Sequence, residues 1–172
     1  KKKQHATLSK NHNVSNAFFL SKRRTISKAH QELYEMLNVL LPSFEFEKEK
    51  IIKTSKKEYY ADIISKKAKL IIEYNGDYWH CNPLSWTAEQ HHRVKDITAA
   101  EVWRLDEERL NIFRTIGYDV IVVWECDYKR SKSETIEKLV KEINEKEKNL
   151  DDKRPSVNSL ADVKLGELLE TP

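Results

Sequence analysis

Two runs of aromatic and β-branched residues, Tyr59 to Ile64 (YYADII) and Ala68 to Tyr74 (AKLIIEY), each carry one carboxylate. The short polar link Ser65-Lys66-Lys67 between them predicts a β-hairpin. Asp62 and Glu73 then stand on paired strands, where a lone ionised carboxylate is costly to bury. Together with the main-chain carbonyl of Tyr74 they form an oxygen-rich pocket suited to Mg2+ or another divalent cation. The alternative is that both carboxylates point to solvent. Strand alternation does not choose, because each residue can lie on either face.

The rest of the chain frames this hairpin. Ser27 is a plausible N-cap, and Leu33, Met36, Leu37, Leu40 and Leu41 follow at amphipathic-helix spacing until Pro42. Phe44-Glu45-Phe46-Glu47 alternates as a strand does. A second helix is predicted from about Thr98 to Ile116, closed by Gly117. Asp119 to Trp124 (DVIVVW) reads as a buried strand, and Ile136 to Ile143 lies in a charged amphipathic helix. Helix, three strands, helix, strand, helix predicts an α/β fold with a mixed β-sheet sandwiched by helices. Residues 1–26 read as a basic arm that docks through Ala17-Phe18-Phe19-Leu20. Residues 27–148 read as the folded domain, and 149–172 as a tail.

The length of 172 residues suits one domain with a real core, 39% of the residues are hydrophobic, and 34% are charged. No apolar run reaches the length of a membrane span and none looks like a signal peptide. The two cysteines, Cys81 and Cys126, are too few for a disulfide framework, which favours a reducing, intracellular (cytoplasmic) setting. The net charge of +3 is unevenly spread. No acidic residue occurs from Lys1 to Gln31, while Lys1, Lys2, Lys3, Lys10, Lys22, Arg23, Arg24 and Lys28 do. Such an arm suits a phosphate backbone, or is an ordinary solvated tail. A chain that begins at Lys1 and has Met36 as its single methionine reads as a piece of a longer protein, with any recognition module outside it.

The second constellation lies on the Thr98–Ile116 helix. Its apolar stripe contains Val102, Trp103, Leu110 and Phe113, and at about 100° per residue Asp106 falls within that stripe. A carboxylate on a buried face needs a partner. His80, just after the strand that carries Glu73, is the candidate. Asp106 would hold the imidazole in one tautomer, and His80 would act as general base toward a water. A purely structural ion pair is the other reading.

EYNGDYWH together with WRLDEERLNIFRTIGYDVIVVWEC resembles the very-short-patch mismatch repair endonucleases. It is also similar to the homing endonucleases that share a Glu-Asp-x-His-Asp signature, and both are branches of the PD-(D/E)xK nuclease fold. The resemblance covers roughly Ser27 to Asp127. It implies that Asp62 is the metal ligand of the fold, that Tyr74 lends its carbonyl, that His80 is the base and that Asp106 is its partner. Glu73 and Asn75 stand at the positions of the acidic residue and the lysine of the parent motif, so Asn75 is a departure. The glutamate of the family's first helix is replaced by His30, three residues before Leu33. His30 takes over its role, Glu32 reaches the site by a small rotation, or His30 is a core residue. Of the repair enzymes' zinc-ligand positions only Cys126 is retained, with Asp77, Asn82 and Leu84 at the others. Cys81 with His91 or His92 would be an improvised site, and no structural zinc is expected.

The resulting expectation is a homing-type, site-specific DNA endonuclease, encoded by a phage or mobile element. It would use Mg2+ and act on double-stranded DNA as a homodimer or with an attached recognition domain, without a membrane. A mismatch-nicking repair enzyme is the second reading, with Trp79 and Trp86 as candidate intercalating residues, although Trp79 equally suits a core. A catalytically inactive DNA-binding module is the third. Lys22, Arg23, Arg24, Arg93 and Lys95 are the basic residues assigned to DNA, while Arg104, Arg109 and Lys129 share that reading with ordinary surface charge.

Overall fold

A computed structural model of the chain describes residues 27–55 and 57–153. The expected basic arm, with Lys22, Arg23 and Arg24, and the last residues of the expected tail lie outside these. The chain divides into two compact units, one ending at Arg130 and the other beginning at Ser131.

In the first unit, helix α1 (Lys28–Leu40) starts at the Ser27 cap, whose hydroxyl accepts the His30 N–H at 3.1 Å. A 3-10 turn (Pro42–Phe44) follows. Strand β1 (Glu47–Lys53), β2 (Glu58–Ser65) and β3 (Leu70–Asn75) then run antiparallel in sequence. A two-residue pair, β4 (His91–His92) and β5 (Ile97–Thr98), leads into helix α2 (Ala99–Thr115). Strand β6 (Asp119–Trp124) lies parallel to β3, and the short helix α3 (Glu125–Arg130) closes the unit. The sheet order is β1-β2-β3-β6, so the sheet is mixed.

The sheet is flanked by helices on both faces. Ile71 and Glu73 share one face with Val120 and Val122, because their register partners across β3 and β6 alternate together. Leu110 and Phe113 of α2 pack there against Ala61, Ile64 and Ile71. On the other face the His30 ring of α1 stacks on Tyr74, with centroids 5.9 Å apart and planes 6° from parallel. Helix α2 is well terminated. Thr98 and Glu101 form a reciprocal capping box, and Gly117 follows the last turn at φ 89°, where a Cβ would be strained.

The second unit contains helix α4 (Lys132–Lys153), in which Ile136, Leu139 and Ile143 form a buried apolar stripe. The helix continues beyond 149, where the sequence predicts a loose tail.

Two local expectations are corrected. Phe44-Glu45-Phe46 is not strand. Glu45 takes a left-handed conformation (φ 54°), which lets Phe44 and Phe46 both turn inward and stack at 5.5 Å. The strand begins only at Glu47. Leu40, assigned to the core stripe, is 48% exposed, because the chain turns out at Leu41 and buries that residue instead. Leu37→Ala should therefore lower the unfolding free energy in urea by about 2–5 kcal/mol. Leu40→Ala should change it by less than about 0.5 kcal/mol.

Candidate active site

The β1–β2 ladder opens opposite Asp62. Pairing runs from Lys48↔Ile63 to Lys50↔Ala61, and Glu49 between them has φ 51°. The Asp62 N–H is donated to Glu73 Oε1 at 3.3 Å. In return Asp62 Oδ2 accepts the Tyr74 N–H at 3.0 Å. The two carboxylates thus stand side by side on β2 and β3, each in a hydrogen bond with the neighbouring strand. Neither points to open solvent, since Asp62 is 7% and Glu73 1% exposed. Arg109 on α2 answers this charge, its Nη1 lying 2.7 Å from Glu73 Oε2. Burial and the Asp62 charge push the Glu73 carboxyl from 4.5 to about 7, against the pull of Arg109.

One turn earlier on α2, Asp106 Oδ2 lies 2.7 Å from His80 Nδ1. Burial pushes the Asp106 carboxyl up, but the His80 hydrogen bond, with Lys95 and Arg109 behind it, holds it below its ordinary value. A proton on Nδ1 shared with that carboxylate leaves Nε2 as the accepting nitrogen. The loop carrying His80 is pinned at several points. His80 N–H bonds the Gly76 carbonyl at 3.0 Å, Asp77 N–H bonds Glu125 Oε2 at 3.2 Å, and Trp103 Nε1 donates to the Cys81 carbonyl at 2.6 Å. Helix α2 therefore holds the loop at His80 and Cys81, and α3 holds it at Asp77. Lys95, on the turn between β4 and β5, has its ammonium pKa drawn down by burial and held up by Asp106.

The same loop carries an aromatic cluster. The Tyr78 and Trp79 rings meet edge-on at 5.3 Å, and Trp86 stacks on His92 at 5.5 Å. Trp79, beside His80, is 46% exposed and so is not a core residue. His92 is fully buried, with Nε2 against the Tyr78 carbonyl at 3.1 Å and Nδ1 accepting the Lys95 N–H at 3.1 Å, so both ring nitrogens are engaged. His91 lies 3.4 Å from Asp96. Asn82 Nδ2 donates to Asp77 Oδ1 at 2.6 Å and to Cys126 Sγ at 3.1 Å. Leu84 is exposed and Cys81 is buried among Ala99 and Val102.

His30 is buried against Tyr74, 3.9 Å from Glu49, on the sheet face opposite α2. Glu32 is half-buried on α1 and Arg93 is exposed on the β4–β5 turn. Arg109, expected either to face DNA or to be ordinary surface charge, instead pairs with the buried Glu73. Its signal was present, because Asp106, Arg109, Leu110 and Phe113 follow one inward stripe of α2 at i, i+3, i+4 and i+7.

Among the described residues no three His, Cys, Asp or Glu side chains form a metal-binding group. Asp62, Glu73 and the Tyr74 carbonyl are the groups that would hold a divalent cation such as Mg2+, which keeps several waters and takes one or two carboxylates plus substrate oxygens. No helix is long and apolar enough to cross a membrane among those residues. No protein-family model and no curated protein matches the chain.

The raised Glu73 value has a consequence for stability. A carboxyl that holds its proton more tightly when folded contributes stability in full below about 4.5, and that contribution is lost by about 7. Urea stability of the cation-free protein should therefore fall between those pH values, and Glu73→Gln should remove that part of the slope. An identical slope in the variant would refute the assignment.

Proposed function

We propose that the chain is the catalytic domain of a divalent-cation-dependent DNA endonuclease with a PD-(D/E)xK type of core. The observation that carries this reading is that α2 serves both constellations within one turn. Asp106 orients His80 at 2.7 Å, and Arg109 holds Glu73 of the carboxylate pair at 2.7 Å. Phosphodiester hydrolysis needs such a pairing of a charge-neutralising centre and a base.

Asp62, Glu73 and the Tyr74 carbonyl would hold the cation. Once bound, it would neutralise the phosphate and lower the pKa of a bound water. Nε2 of His80 takes the proton of the attacking water as the new O–P bond forms and the P–O bond to the leaving oxygen breaks. Asp106 stabilises the resulting imidazolium and keeps the ring from rotating. Lys95, whose charge acts on Asp106, and the exposed Arg93 on the same β4–β5 turn would supply positive charge for a phosphate backbone.

A homing-type enzyme making double-strand breaks, acting as a homodimer or with a separate recognition domain, is the preferred form. The exposed Tyr78–Trp79 pair beside His80 favours the second reading, a mismatch-nicking enzyme, since such rings can enter a base stack. Supercoiled plasmid with Mg2+ separates them. A linear product supports the first and a nick alone the second. Intact binding without cleavage at any divalent concentration would mean an inactive binding module. His80→Ala should slow cleavage by about a hundredfold or more. Asp62→Asn should abolish it, with mobility-shift binding to DNA largely kept in both. Undiminished turnover by His80→Ala would sink the mechanism.

A further inference from the structure

Arg109 is turned inward from a helix whose other arginines, Arg104 and Arg114, pair with glutamates at the surface. Its Nη1 lies 2.7 Å from Glu73 Oε2 and donates to the Tyr60 carbonyl at 3.3 Å. Its guanidinium carbon stands 5.8 Å from the centroid of the Phe113 ring. The guanidinium is thus fixed by an ion pair, a main-chain acceptor and an aromatic neighbour. Asp62 and Asp106 also act on it electrostatically.

The reason for this placement follows from charge. Two neighbouring buried carboxylates repel each other and lose their hydration, so the cation-free protein needs a counter-charge. Arg109 supplies one of fixed geometry that does not lose its proton. A divalent cation at the Asp62–Glu73 pair would draw on the same Glu73 carboxylate. The two cations would then repel each other across a poorly hydrated space.

Resting on the cation-site reading above, we propose that Arg109 is the resident counter-cation of the carboxylate pair and competes with the divalent cation for Glu73. It is a positioning residue. It keeps Asp62 and Glu73 together when no divalent cation is bound, and it weakens cation binding in the absence of a phosphate ligand. A role confined to bracing α2 against β3 would leave cation affinity unaltered.

Ca2+ binding to the full chain without DNA tests this, by calorimetry and by the Ca2+-induced rise in melting temperature. The proteins are the wild type, Arg109→Met, Arg109→Lys and Asp62→Asn. Arg109→Met should melt lower than wild type without Ca2+, bind Ca2+ roughly tenfold more tightly and gain more melting temperature from it. Arg109→Lys should stay near wild type. If Arg109→Met folds only after Ca2+ is added, that also supports the proposal. Loss of Ca2+ binding in Asp62→Asn together with unchanged or weaker binding in Arg109→Met would overturn the role of Arg109 alone. Failure of Arg109→Met to fold even in Ca2+, while Arg109→Lys folds, would likewise reduce Arg109 to a brace. A wild type that binds no Ca2+, or an Asp62→Asn variant that binds it unchanged, would overturn the cation site itself.

Discussion

Asp62 and Glu73 are two carboxylates side by side in the middle of a sheet, and much of the first unit is arranged around tolerating them. The β1–β2 ladder opens at Glu49, which leaves the Asp62 N–H for Glu73. The Tyr74 N–H goes to Asp62 instead of being spent elsewhere. Helix α2 must cross this face in the one register that delivers Arg109 to Glu73. Once that register is set, Asp106 is carried to His80, because the two residues lie one turn apart on the same side of the helix.

The two carboxylates that α2 addresses end in opposite electrostatic states. Glu73 is raised to about 7, mainly by burial, and Asp106, despite its own burial, is held low by the His80 hydrogen bond with Lys95 and Arg109 behind it. Environment alone separates them. A raised, partly compensated carboxylate is a group that gains from a divalent cation. A low one is suited to holding an imidazole as it takes up a proton. Divergent pKa values in neighbouring acids are a recurrent property of hydrolytic sites.

The local elements were largely legible in the sequence. The β2–β3 hairpin and β6 follow from runs of aromatic and β-branched residues with a short polar link, and the end of α2 from a terminal glycine. So did the meeting of His80 and Asp106, because a carboxylate on an apolar stripe requires a partner. What escaped was set by tertiary geometry. Phe44 and Phe46 alternate like a strand, yet the left-handed Glu45 bends them into a stacked pair. The two-residue β4–β5 pair is too short to leave a periodic signal. Arg109 was set aside because a single arginine on a charged helix is usually at the surface. Its inward position depends on Glu73, which lies far away in sequence. Leu40 fits the helical repeat but falls where the chain turns away from the core.

The cation site is best tested by adding Mn2+ to the isotope-labelled protein without DNA and reading paramagnetic broadening of assigned amides. Binding at the Asp62–Glu73 pair requires that Asp62, Glu73 and Tyr74 broaden first, with Arg109 close behind, and that Asp62→Asn removes the effect. First broadening at surface acids such as Glu107 or Glu142, with Asp62 and Glu73 unaffected, would contradict a cation-dependent hydrolytic centre at this place.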